Sequence, residues 1–176
     1  MLRWLGHDAA AVLDGGWNAW VKAQLPQTDR VPEIAAARFT PRPRTGAAVD
    51  AGGVAARAGK PGTLLLDARV PNRYRGENET LDPVAGHIPG AVNRPWQLNL
   101  DTEGRFKGAV ELKKEIGEML AGRSPANVTH YCGSGVTACH NLLAMEVAGL
   151  PGSLLYPGSW SEWCSDPSRP VAKDRP

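Results

Sequence analysis

No stretch of this sequence approaches the roughly 18 consecutive apolar residues that a membrane-spanning helix needs, and its start lacks the basic-then-apolar order of a secretory leader. A soluble, cytoplasmic chain with no membrane partner is the resulting expectation. Charge of one sign is also missing: 20 Lys+Arg against 18 Asp+Glu leave +2, with no run of like charges. That removes the electrostatic footprint of a nucleic-acid binder and leaves small molecules as the expected partners. Cysteine is scarce and odd in number (Cys132, Cys139 and Cys164) in a chain of 176 residues long enough to bury a core without staples. Reduced thiols are therefore expected rather than a disulfide framework. There is no pair of C-x-x-C motifs and no histidine cluster, and Cys139–His140 supplies two ligand types without a partner pair. Neither a metal nor a cofactor is expected.

What the sequence does contain is an internal repeat. Shifting residues 1–20 forward by 143 positions lays Gly6 on Gly149, Gly15 on Gly158, Trp17 on Trp160 and Trp20 on Trp163. Both copies read as a helix end, a glycine turn, a short apolar strand (Ala10 to Leu13, Leu154 to Tyr156) and a Trp-containing helix. On this reading residues 1–24 are the remnant of a truncated first domain, with Trp4, Trp17 and Trp20 exposed unless they dock on a neighbour. The alternative is a single domain with an N-terminal decoration.

Residues 25–46, with Pro26, Pro32, Pro41 and Pro43, read as an extended linker. A complete domain over 47–170 and a tail over 171–176 follow. Ala47–Asp50 suggests a short strand, with Asp50 capping a short helix. The triple leucine of TLLLDAR suits a strand buried on both faces. Leu112, Ile116, Met119 and Leu120 mark an amphipathic helix over about 109–121. VTHYC is a further strand, and the helix after it ends at Gly149 as a C-cap. Alternating strands and helices predict an α/β fold with a mainly parallel sheet, whose ligands bind at the carboxyl ends of the strands.

Chemistry concentrates at Cys132, which follows directly on the strand Val128 to Tyr131 and precedes the loop Gly133, Ser134, Gly135, Val136 and Thr137. The glycines let successive N–H groups converge on one centre, and the helix beginning near Thr137 adds the positive end of its dipole. Both favour a negatively charged, nucleophilic sulfur. A phosphatase of the same strand–loop–helix plan needs an arginine six positions after the cysteine, where this chain has Ala138.

The motifs DAR at 67–69, RYRG at 73–76, GHIPGAVN at 86–93, CGSGVTA at 132–138 and LYPGSWSEW at 155–163 occur in the order seen in the rhodanese superfamily. The chain resembles in particular its tandem-domain thiosulfate and 3-mercaptopyruvate sulfurtransferases. The resemblance implies a rhodanese-like domain with helices on both faces of the sheet. It also implies an activity: Cys132 takes sulfur from thiosulfate or 3-mercaptopyruvate as a persulfide and passes it to a thiol or cyanide. Gly133 and Ser134 match the mercaptopyruvate type, and Arg73 matches the first of that type's two carboxylate-binding arginines. The second is missing, since residues 77–86 contain no arginine.

Arg69 and Arg75 are neighbours placed to compensate for the missing arginine, but the firmer reading of each is a solvated surface charge; Asp67 reads as an ion-pair partner or a loop anchor. His87 is expected to hold the GHIPG turn and His130 to pack in its strand. Trp160 and Trp163 are candidates for the pocket mouth, with core packing the firmer reading for Trp163. Cys139 reads as core and Cys164 as incidental. The competing function is a non-catalytic rhodanese-like binding module or a poorly folded remnant.

Overall fold

The computed structural model describes residues 1–173. Its elements are α1 (Gly16–Lys22), α2 (Ala51–Arg57), β1 (Leu64–Asp67), α3 (Pro71–Arg75), β2 (Ala91–Asn93), α4 (Ala109–Leu120), β3 (Val128–Tyr131), α5 (Ala138–Val147), β4 (Leu154–Leu155) and α6 (Ser159–Ser165). The four strands form one parallel sheet in the order β2-β1-β3-β4. Among the described residues no helix is long and apolar enough to cross a membrane.

Side-chain alternation along the strands builds two cores. Leu65 of β1 faces Val54, Tyr74, Trp160 and Trp163, so α2, α3 and α6 cover one side. Leu64 and Leu66 face Leu112, Ile116, Leu120 and Met145, so α4 and α5 cover the other. Leu64–Asp67 is accordingly buried at every position, as an internal strand with both faces covered should be. The helix expected over 109–121 ends at Leu120, where Ala121 turns left-handed at φ +47°. Gly149 closes α5 at φ +70°, with the Leu150 amide reaching back to the Met145 carbonyl at 2.8 Å. Asp50 caps α2 by accepting the Gly53 amide at 2.8 Å.

Two expected strands do not form. Ala47–Asp50 shrinks to a single bridge, Ala48 to Leu155, at the sheet edge. Residues 10–13 have no strand beside them to pair with and stay irregular.

The repeat nevertheless persists in the backbone. Helices α1 and α6 begin and end 143 residues apart. Gly6 and Gly149 are both left-handed (+87° and +70°), as are Gly16 and Ser159 (+60° and +55°). Trp20 and Trp163 each donate their indole N–H to a proline carbonyl, of Pro26 and Pro170. Burial separates the copies: Trp160 is fully buried, whereas Trp17 is 61% exposed. Residues 25–46 carry no helix or strand. In the segment expected as a tail, Ala172 pairs with His87; residues 174–176 lie outside the described residues.

The strand order places the site. From β1 the chain crosses one way to β2 and then back over to β3, so the segments leaving β1 and β3 diverge at neighbouring carboxyl ends. Asp67 lies beside Tyr131 in register, and the Ala68 amide donates to the Tyr131 carbonyl at 2.9 Å. Residues 68–73 and 132–137 therefore face one another.

Candidate active site

Cys132 leaves β3 at the floor of a cavity of about 200 Å³ lined by Arg69, Val70, Arg73, Trp96, Gly133, Ser134, Val136 and Thr137. The cysteine is 2% exposed and packs on Ala68 and Ala138. Backbone planarity fixes how the loop presents itself. In a trans peptide a carbonyl and the following N–H point in opposite directions. The carbonyls of Cys132 and Gly133 are held by the amides of Trp160 and Ser161, both at 2.9 Å, at the start of α6. The N–H groups of Gly133 and Ser134 therefore point away from α6, which contributes nothing to the cavity lining.

Three of the next four carbonyls are also taken. Gly135 accepts from the Cys139 thiol at 3.4 Å. Val136 and Thr137 accept from the amides of Cys139 and His140, both at 3.1 Å. Among the described residues no acceptor meets the amides of 133–138. Ser159, wholly buried, completes the clamp by accepting the Cys132 amide at 3.1 Å and donating to the Tyr156 carbonyl at 2.9 Å.

Gly135 does not line the cavity. It sits left-handed at φ +80° against Pro157, and a Cβ there would come within 2.5 Å of the Pro157 carbonyl oxygen. Gly135→Ala is expected to destabilise the domain by about 1–3 kcal/mol, and to displace the loop amides. Urea denaturation checks the first effect, and the rate of modification of Cys132 by a thiol reagent, which should change, checks the second.

Arg73 projects from α3 toward the loop, its Nη1 and Nη2 lying 3.5 and 3.7 Å from where a Gly133 Cβ would stand. Behind it is an ion-pair cluster that the sequence does not announce. Arg73 binds Glu79 through Nε and Nη2 (3.0 and 2.8 Å) and Asp82 through Nη2 (3.0 Å). Arg69 is 3% exposed, which corrects its reading as a solvated charge. It grips Asp67 through Nε and Nη2, reaches Glu79 at 3.4 Å and the Gly86 carbonyl at 2.6 Å, and lies over the Trp160 ring. Burial pushes the Glu79 carboxyl up, but hydrogen bonds from Arg73 and from the amides of Leu81 and Asp82 outweigh it and hold the group below its ordinary range. Arg75 pairs with Glu77 at the surface.

The remaining candidates sit further back. Asp67 is fully buried and anchors Arg69 through both its backbone amide and its guanidinium. His87 stacks on Tyr74 with ring centroids 3.9 Å apart, places Nδ1 at 2.9 Å from the Tyr74 carbonyl, and pairs with Ala172. Neither lines the cavity. His130 is buried, and burial followed by the charge of Arg94 lowers its pKa to about 3, which leaves it neutral. Trp160 and Trp163 are core residues rather than rim residues. The aromatic wall is Trp96, whose segment is tied to α5 by hydrogen bonds among Arg94, Asn99 and Asn141. Cys139 is exposed, not core, because the first turn of α5 points it outward; Cys164 is buried in the core.

A family model described as rhodanese-like domain matches residues 50–166. The chain belongs to the rhodanese-like domain family. Among curated relatives, a probable 3-mercaptopyruvate sulfurtransferase of Pseudomonas aeruginosa is 47% identical over 98% of this chain and 61% of its own length. The 3-mercaptopyruvate sulfurtransferase of Homo sapiens is 34% identical over 93% of this chain and 55% of its own. The rhodanese chain thus spans a little over half the length of these relatives. A solved structure of the anaerobic ergothioneine biosynthesis enzyme from Chlorobium limicola superposes with a TM-score of 0.85 at 25% identity, covering 98% of this chain and 43% of that one. The sheet flanked by helices is the fold expected from the motifs.

Sequence reasoning missed Glu79, Asp82, Trp96, Ser159 and Ser161. Glu79 and Asp82 lie in ENETLD, a stretch with the composition of a solvated loop, and nothing local signals that it folds inward. Ser159 left one trace: it takes the left-handed place that glycine occupies in the other copy of the repeat.

Proposed function

We propose that this rhodanese domain is a sulfurtransferase that carries sulfur on Cys132. The observation that carries the reading is a buried sulfur at the foot of a small cavity, under two N–H groups turned away from α6 and a loop most of whose carbonyls are engaged elsewhere. The Cys132 thiolate attacks the outer sulfur of the donor, and a sulfur–sulfur bond forms. With thiosulfate the old sulfur–sulfur bond breaks and its electron pair leaves on sulfite. With 3-mercaptopyruvate the carbon–sulfur bond breaks, and the carbon keeps the pair and takes the thiol proton to give pyruvate. A thiol or cyanide then removes the outer sulfur and returns Cys132 as thiolate. The loop amides stabilise the charge on the terminal persulfide sulfur, and Arg73 attracts the anionic donor. Three free cysteines suit a reducing, cytoplasmic setting.

Residues 1–24 are, on this reading, the counterpart of β4 and α6 from a preceding unit of the same kind. Incubation with each donor followed by intact mass spectrometry tests the function. The protein is expected to gain one sulfur atom and to lose it on addition of cyanide. A folded protein that keeps its original mass with both donors is a binding module instead.

A further inference from the structure

We infer that Asp82 is a specificity-determining residue that biases the pocket against doubly charged donors. The inference rests on the sulfurtransferase reading above and names the charge class of donor that the site admits.

Arg73 stands against the Cys132 loop, and most of its donors are committed. Its Nε faces Glu79, and Nη2 is shared between Glu79 and Asp82. Only Nη1 has no partner among the described residues, and it is the nitrogen nearest Gly133. An incoming anion therefore meets one nitrogen of the guanidinium rather than a two-pronged fork. The surrounding field points the same way. Arg69 and Arg73 are faced by Asp67, Glu79 and Asp82, so the cluster holds one negative charge in excess. The side chains of Asp67, Glu79 and Asp82 are at most 8% exposed, so solvent screens this excess poorly. Repulsion from it is twice as large for a dianion such as thiosulfate as for a monocarboxylate.

Asp82 is the member whose charge can be removed with least disturbance. Its Oδ2 meets Arg73, while Oδ1 accepts the Ser161 hydroxyl at 2.6 Å. Ser161 Oγ also lies 2.8 Å from the Gly133 carbonyl. Asparagine keeps an acceptor oxygen for Ser161, so Asp82→Asn takes away the charge and leaves the seat of the loop.

The test uses ligand binding without turnover, by calorimetry on the full chain in a Cys132→Ser background, with and without Asp82→Asn. Thiosulfate is expected to bind the Asp82→Asn protein on the order of ten-fold more tightly, and pyruvate only about three-fold more tightly. Both gains should shrink as ionic strength rises. Ser161→Ala serves as the uncharged control. It loosens the loop without changing charge, so its effect should not depend on ligand charge.

Equal changes for both anions, no change, or no detectable binding of thiosulfate by either protein would overturn the inference. Charge-graded tightening in a protein whose Cys132 parent moves no sulfur would sink the sulfurtransferase reading while leaving the assignment of Asp82 intact.

Discussion

On the proposed function, Cys132→Ser protein incubated with thiosulfate or 3-mercaptopyruvate is expected to keep its original mass, and its turnover to fall by roughly three orders of magnitude or more. A serine hydroxyl has nearly the same shape and would occupy the same place at the foot of the cavity. What it lacks is a polarisable sulfur able to form and release a sulfur–sulfur bond. Cys139 cannot substitute, because its thiol is turned toward the Gly135 carbonyl and does not line the cavity. Folding should be unaffected, so the circular dichroism and urea midpoint of the variant should match those of the wild type. A serine variant that still acquires sulfur would move the chemistry to another cysteine. Iodoacetamide mapping of the labelled residue would then identify it.

Arg69→Met is expected to lower the unfolding free energy by about 3–5 kcal/mol, the cost of breaking a buried ion pair from one side. Methionine fills much of the volume but leaves Asp67, fully buried, with only the amide of residue 69 from its former partner. Glu79 loses one of its two guanidiniums. The measurement is the urea midpoint, at unchanged slope if the loss is purely one of stability.

The same cluster sets a pH dependence. Glu79 titrates below its ordinary value of 4.5 in the folded protein. Its contribution to stability is therefore fully present above that value and is lost as pH falls through the lower folded one. Wild-type stability should decline on acidification below about pH 4.5. In Arg69→Met the acid midpoint should move upward, because one of the two guanidiniums paired with the Glu79 carboxylate is gone. An acid midpoint that stays in place would mean that Arg73 and the loop amides alone hold Glu79.

The parts of this molecule that could be read from its sequence are those decided by neighbours along the chain. Three consecutive leucines were enough to place β1, since a strand covered on both sides has no position left for a polar residue. The glycines at 133 and 135 located the loop because residue type limits backbone angle. The structure separates them: Gly135 is needed for its left-handed turn against Pro157, whereas a Cβ on Gly133 would stand in ordinary contact with Arg73, 3.5 Å from its Nη1.

Features decided across the chain stayed hidden. Arg69 lies four residues before Arg73 and Arg75 two after it, and the two look alike in sequence. One is buried between two carboxylates and the other lies at the surface. Ala10–Leu13 has the composition of a strand, but a strand exists only beside another, and none lies beside it. Cys139 was misplaced for a related reason: a single residue in the first turn of a helix carries no periodicity to say which way it faces.

The grip of Trp160 and Ser161 on the carbonyls of Cys132 and Gly133 also bears on how the protein is made. A nascent chain could lay down its first three strands and still present a cysteine in an unshaped loop. The shape of the loop has to wait until residues 159–161 have left the ribosome and swung back against the sheet. The loop around Cys132 thus takes its final shape when α6 is in place, and not when β3 is.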